Sequence, residues 1–514
     1  MTINSSQENN KRIAKNTLLL YFRMLLTMVV SLYTSRVVLG ALGVEDYGIY
    51  NVVGGVVTMF SMLSGSLSAA ISRFITFELG KKNYERLHKV FCTSINVQLI
   101  LILILFVLLE TVGLWFLNYK MVIPEGRLSA ANWVFQFSII TFAVNLYSVP
   151  YNAAIVAHEK MSAFAYISII EVSAKLLVAF LILKNPFDRL VFYGMLLLII
   201  GLIIRYIYGN YCIRHFDECK YRFVWDKSLV KEMFAFAGWN FFGAGSWQLM
   251  NQGVNLLMNM FFGVTVNAAR GIAVQVDTAV LQFVNNFTMA VNPQITKSYA
   301  SGDKGYLYSL MFRGSKFSYF LIMFFALPIM LQTEFILDIW LKHYPEHTAS
   351  FIRLALIVSM LHVISNTMVT AMLATGNIKK YQIIVGGLGM LVFPLAMIAF
   401  YLGCPPEAAY YSTLTVFVLQ LLIRLKMLHQ MVGMPIGGFL KNVLLKIIVV
   451  TIISILPLIV LLHFLGEGWM DFIIVCSTSV IISLVAISFI GLTSSEREFV
   501  IKEISKVYKK VKNK

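Results

Sequence analysis

Runs of about twenty apolar residues recur from one end of this chain to the other. At 1.5 Å per residue such a run covers about 30 Å, the thickness of a bilayer's hydrocarbon core. Composition agrees: 59% of the 514 residues are hydrophobic and 13% are charged, where a soluble domain carries about 25% charged residues. The chain therefore reads as an all-α polytopic membrane protein. Fourteen transmembrane helices are predicted, at 15–39, 47–71, 90–114, 130–155, 162–183, 190–213, 233–260, 267–293, 311–333, 350–374, 381–402, 408–429, 442–465 and 469–492. The connections between them are too short to hold a soluble catalytic domain.

Charge fixes the orientation. With the N-terminus inside, inner segments hold 31 of the 42 Lys and Arg residues and outer loops hold 7. That bias is the positive-inside signature, so both termini are expected in the cytoplasm. It also accounts for the net charge of +17 without a nucleic-acid partner. The first apolar run is too long for a cleaved signal and reads as a retained span. The five cysteines (Cys92, Cys212, Cys219, Cys404, Cys476) show neither metal nor disulfide spacing.

The sequence echoes itself. Phe77-Glu78-Leu79-Gly80-Lys81-Lys82-Asn83, after span 2, parallels Ser298-Tyr299-Ala300-Ser301-Gly302-Asp303-Lys304, after span 8. Ala154 to Met161, after span 4, parallels Ala371 to Ile378, after span 10. Both offsets correspond to six spans, which preserves orientation and predicts two parallel-repeated six-helix bundles, a recognised transporter layout. The expected organisation is an N-terminal bundle (1–214), a cytoplasmic linker (215–232), a C-terminal bundle (233–430), additional helices 13 and 14 (431–495) and a basic tail (496–514). The tail can lie on anionic inner-leaflet lipid. Substrate is expected between the two bundles.

Several polar residues lie at membrane depth and need a reason. In span 1, Arg23, Thr27 and Ser31 share a face with Asn16 and Thr34. In span 7, Gln248, Gln252, Asn255 and Asn259 recur at helical spacing beside Asn251, near Trp239 and Trp247. Amides in a bilayer must pair, across helices or with a hydrated ligand, and four in a row point to a cavity lining. In span 8, Arg270 and Asp277 share a face but lie two turns apart, too far to pair directly. In span 5, Glu171 and Lys175 form an i, i+4 pair: a packing salt bridge, or an ion-coupling or gating element. His158 and His463 read as isolated boundary residues. No metal-ligand spacing, nucleotide loop or nucleophile–base pair is present, which excludes an enzyme site of those kinds.

Spans grouped as six, six and two, with Arg36-Val37-Val38-Leu39-Gly40 and Tyr47-Gly48-Ile49-Tyr50-Asn51-Val52 in the first hairpin, resemble the polysaccharide-flippase (Wzx-type, O-antigen) branch of the multidrug/oligosaccharidyl-lipid/polysaccharide (MOP) exporter superfamily. The resemblance implies a MATE-like fold and a transporter rather than an enzyme. It also implies a cargo: oligosaccharide repeat units of O-antigen, capsule or exopolysaccharide on a polyprenyl pyrophosphate, moved to the outer leaflet of a bacterial plasma (inner) membrane by alternating access. Related lipid II flippases carry essential arginines in spans 1, 2 and 8, which here correspond to Arg23, Arg73 and Arg270; these are the expected pyrophosphate ligands. The span 7 amides with Thr27 and Ser31 would line the sugar chamber, and Glu171, Lys175 and Asp277 would serve coupling or gating. No cofactor is expected, and a coupling ion would be H+ or Na+. Membrane lipids, a polysaccharide polymerase and a chain-length regulator are the expected partners. Lipid II as cargo, and cation-coupled drug export, are the alternatives.

Overall fold

The structure, a computed structural model, describes residues 2–58, 61–119, 123, 126–183, 188–341, 344–464, 466, 468–494 and 496–498. The side chains of Arg36, Gln252 and Asn259, and the basic tail from 499 onward, lie outside the described residues.

Helices follow one another with short turns: α1 (Thr2–Thr58), α2 (Ser61–Gly80), α3 (Tyr84–Tyr119), α4 (Leu128–Ala157), α5 (Met161–Leu183), α6 (Arg189–His215), α7 (Lys227–Ala300), α8 (Lys304–Leu331), α9 (Thr333–Trp340), α10 (Thr348–Ala374), α11 (Lys379–Tyr401), α12 (Ala408–Val432), α13 (Ile436–Leu462) and α14 (Trp469–Gly491). Among the described residues there is no strand. A helix satisfies its own backbone polar groups, which lipid cannot do for it. Among the described residues ten helices are long and apolar enough to cross a membrane, and they coincide with ten predicted spans. The other four predicted spans (1, 2, 7 and 8) fall on α1, α2 and α7. The chain is an all-α polytopic membrane protein. Several helices outrun their predicted ends: α2 continues to Gly80, α7 runs from Lys227 to Ala300 and α8 starts at Lys304, because polar helix ends read as loop in a hydropathy pattern.

Two of these helices are each two helices joined across a kink. Inside α1, Gly43 has φ 78° and ψ 169°; inside α7, Gly263 has φ 79° and ψ −174°. This region of backbone space is essentially restricted to glycine. Each glycine joins two helical segments at a single non-helical residue, without an intervening loop.

Starts and stops elsewhere come from short polar residues. Asn83, Asp188 and Asp226 accept hydrogen bonds from the first backbone N–H groups of α3, α6 and α7, groups that would otherwise be unpaired. The turn after α2 pairs Lys81 N, Lys82 N and Asn83 N with Phe77 O, Leu79 O and Glu78 O; the turn after α7 pairs Ser301 N, Gly302 N and Asp303 N with Lys297 O, Tyr299 O and Ser298 O. Two residues before the next helix the backbone is left-handed in both turns, Lys82 at φ 57° and Gly302 at φ 76°. The repeat that few identities suggested is thus carried by backbone geometry.

The chain divides into two compact units. The first comprises 1–244 with 292–303 and 376–382; the second comprises 245–291, 304–375 and 383–514. In the first, α4 and α6 pack most extensively. Gly194 lets α6 approach Val134 and Phe137, where an added Cβ would lie 3.2 Å from Phe137, the small-residue contact typical of membrane helices. Val134, Phe135, Leu117, Leu190 and Ile139 form the apolar core beneath. In the second unit, α13 and α14 pack on each other and on α8. Lys316 of α8, 3% exposed, donates to Glu496 Oε2 at 2.8 Å, and Arg313 lies 3.3 Å from the other oxygen. Glu496, expected at the head of a surface tail, is therefore a buried anchor.

Candidate functional site

Arg23 projects from α1 toward α5. Its guanidinium lies 4.9 Å from the centroid of Phe164, Nη1 is 3.5 Å from Ser168 Oγ, and Tyr208 of α6 lies beside it. A guanidinium on a ring face keeps its planar donors available at the edge. Further along α5, Lys175 Nζ donates to Glu171 Oε1 at 2.6 Å, the intrahelical pair expected from their spacing. Thr27 and Thr34 donate to Met24 O and Val30 O of their own helix, whereas Ser31 is exposed. Asn16 is buried and donates to the Glu159 carbonyl at 3.2 Å.

Arg73 stands under aromatic rings rather than in open space. Phe77, Phe74 and Phe236 lie 4.5, 4.7 and 5.8 Å from its guanidinium. It fills the place a side chain would take at Gly376, where a Cβ would sit 2.6 Å from Nη2.

A further membrane arginine belongs to the first unit. Arg205 of α6 lies 3.9 Å from the Tyr151 ring and 4.4 Å from the Tyr147 ring, and Nη1 occupies the space that a Cβ on Gly209 would need. Arg205 falls inside predicted span 6, and the sequence alone assigns it no role. The available signal was the i, i+4 pair Tyr147 and Tyr151 on a neighbouring span.

In the second unit, Arg270 is 9% exposed and donates to Asn251 O at 3.3 Å, with Tyr410 beside it. Asp277 is not paired with it; the Ser359 hydroxyl faces Asp277 instead, and Oδ1 is buried without a hydrogen-bond partner among the described residues. Gln248 is exposed and Asn255 half-buried. Trp247 stacks on Phe417 at 5.8 Å and lies 5.0 Å from His362. Arg424, 6% exposed, donates to Gln420 Oε1 at 3.3 Å. The sequence reading assigns no role to His362 or Arg424; for Arg424 the available signal is its i, i+4 spacing from Gln420.

His158 is not isolated. Its ring stacks on Phe216 at 4.0 Å and hydrogen-bonds Glu218 at 2.5 Å, because the connection between α6 and α7 folds back under α4.

At the opposite ends of the helices, two clamps recur. Arg127 holds Asp188 (Nη1 to Oδ2, 2.5 Å) and Asp46 (Nε to Oδ1, 2.8 Å). In the second unit His347 holds Glu407 at 2.7 Å, with Ser350 donating to the same oxygen. Burial works against ionisation of both carboxylates. Arg127 and the Leu190 and Val191 N–H groups outweigh it for Asp188, and Ser350 and His347 do so for Glu407, so both titrate below the ordinary carboxylate range.

Residues 11–299 match the family model described as polysaccharide biosynthesis protein. The chain belongs to that family. Among solved structures it is similar to a protein described as an outward-facing multidrug resistance MATE family transporter of the MOP superfamily, at 11% identity and TM-score 0.71 over 83% of this chain and 96% of that one. It is also similar to a MATE protein in a bent conformation, at 12% identity and TM-score 0.71 over 84% and 97%. A third is a MOP superfamily transporter from Pyrococcus furiosus whose description reports a binding pocket of reverse polarity, at 12% identity and TM-score 0.67 over 84% and 96%. No curated protein sequence matches the chain. The family match makes this a polysaccharide biosynthesis protein, and the structural similarities give it the all-α fold of MATE and MOP-superfamily transporters, the fold the resemblance implied.

Proposed function

We propose that this protein flips polyprenyl-pyrophosphate-linked oligosaccharide repeat units, of O-antigen, capsule or exopolysaccharide, from the inner to the outer leaflet of a bacterial plasma membrane by alternating access, with both termini in the cytoplasm. The observation that carries this reading is a set of arginines in the membrane helices with no carboxylate partner among the described residues. Arg205, Arg270 and Arg424 are held by tyrosine rings, a carbonyl and an amide. A guanidinium in the membrane is costly unless something polar or anionic meets it. A transporter of organic cations would want the opposite sign of charge.

Arg23 is the first phosphate ligand in this account: it sits at bilayer depth, half-exposed, with its ring face covered by Phe164. Pyrophosphate accepts from guanidinium donors bidentately. Arg270 and Arg73 have the same assigned role in their own units. Gln248, Gln252, Asn255, Asn259, Thr27 and Ser31 offer hydrogen-bond partners to sugar hydroxyls, and Glu171, Lys175 and Asp277 are the groups able to exchange H+ or Na+. A polymerase and a chain-length regulator would act on the product at the outer leaflet.

Deleting the gene and complementing it tests the reading. Wild type should restore surface polysaccharide, and Arg23→Ala should leave lipid-linked repeat units on the inner leaflet at normal protein levels. Unchanged surface polysaccharide in the deletion strain would refute the cargo.

A further inference from the structure

Glu159 is a glutamate where the fold asks for glycine. It occupies the left-handed position of the turn after α4, φ 59°, and the matching position after α10 is Gly376, φ 78°. A non-glycine residue there is strained, and the carboxylate accounts for its presence. Its side chain is 1% exposed. Lys297 Nζ and Gln294 Nε2 donate to it at 2.5 Å each, and Arg12 Nε lies at 2.7 Å. One buried carboxylate therefore joins the start of α1, the α4–α5 turn and the last turns of α7.

The repeat partner of this contact uses the opposite arrangement. Lys297, near the end of α7, meets Glu159 in the turn after α4. Arg73, near the end of α2, meets Gly376 in the turn after α10, lying where a Cβ would be. Between the two contacts the ends of α2 and α7 touch: a Cβ on Gly80 would fall 2.8 Å from Lys297 Cα and 3.0 Å from Ala300 Cβ, and the Phe77 and Tyr299 rings are 6.3 Å apart. All of these residues lie within the first unit. Pro293, which cannot donate to the helix ladder, stands where α7 passes into that unit, between Val291 and Gln294.

We propose that this pair of contacts is a releasable latch: the Glu159 cluster and the Arg73–Gly376 contact hold 292–303 and 376–382 against 1–244, and transport requires them to let go. This rests on the transport reading, and Glu159 and Lys297 are then positioning residues for the cycle rather than substrate ligands. The charges suit a release step. A buried carboxylate between two cations is favourable only while all partners are in place, so the contact is either made or broken.

A disulfide between Gly80→Cys and Ala300→Cys tests the latch without removing a charge. The Cβ separation implied by the structure is shorter than the ~3.8 Å a disulfide prefers, and a small widening between α2 and α7 relieves both this and the close approach to Lys297 Cα. Oxidation should stop polysaccharide export in cells and reduction should restore it, with each single-cysteine variant exporting under oxidant. Separately, Glu159→Gln should lower the rate of disulfide formation about tenfold, the population shift expected when a buried ion cluster loses its centre. Export that continues while the protein is fully crosslinked would overturn the latch. So would an unchanged crosslinking rate in Glu159→Gln. If the cargo reading alone fails, export is absent from the assay altogether, while the crosslinking rate still responds to Glu159→Gln and supports the latch.

Discussion

Gly43 and Gly263, 220 residues apart, hold the same left-handed extended backbone, φ 78° and 79°. Each kinks the chain between two helical segments at one residue, and open space surrounds both positions. Alanine would therefore fail for conformational reasons alone. Gly43→Ala and Gly263→Ala should each destabilise the protein by about 1–3 kcal/mol, read as thermal stability in detergent. Equal stability would show that neither turn requires glycine.

The clamps Arg127–Asp188 and His347–Glu407 also repeat, since Arg127 and His347 begin corresponding helices. Both carboxylates titrate below their ordinary values. The sign follows: their contribution is complete above the unfolded carboxylate pKa of about 4 and is lost as pH falls through the folded values. Thermal stability should be flat from neutral pH to about pH 5 and fall below pH 4, with Asp188→Asn and Glu407→Gln reducing that fall. An unaltered acid profile in the double variant would show that these clamps do not set it.

Lys316 and Glu496 form a buried pair, 3% and 5% exposed at their side chains. Removing one charge strands the other. Glu496→Ala should cost about 3–5 kcal/mol, whereas Lys316→Met with Glu496→Met should be far closer to wild type. Equal losses in the single and double variants would indicate a packing effect rather than a charge effect.

Gly209 leaves room for the Arg205 guanidinium against Tyr151. Gly209→Ala should displace Arg205 from the tyrosine rings and reduce export several-fold, and Arg205→Lys should not replace the lost stacking, because an ammonium is not planar. Full export in both variants would leave Arg205 a packing residue.

Fold and site were legible to different degrees, for physical reasons. Apolar runs are averages over many residues, so they announced the all-α membrane architecture clearly, and the six, six and two grouping of spans carried the family resemblance further than the short first-hairpin motif did. The Glu171–Lys175 pair was visible because both partners lie on one helix. Glu159 was hidden although its turn had been aligned with the one holding Gly376: its partners Arg12 and Lys297 are far away in the chain, and no periodicity links a turn to two helix ends. His158 was misread for the same reason, because Glu218 reaches it only through a folded-back connection. His362 lies between apolar neighbours, and Arg424 stands close to Lys426 near the end of its span, where a cation reads as a boundary residue.

Movement of lipid-linked saccharide by the purified protein tests the central claim most directly. In proteoliposomes holding a polyprenyl-pyrophosphate oligosaccharide in one leaflet, wild type should expose the sugar to an external lectin. Arg23→Ala should do so at about a tenth of that rate or less, the loss of one charge-assisted phosphate contact. No movement by wild type, or equal movement by Arg23→Ala, would contradict the account.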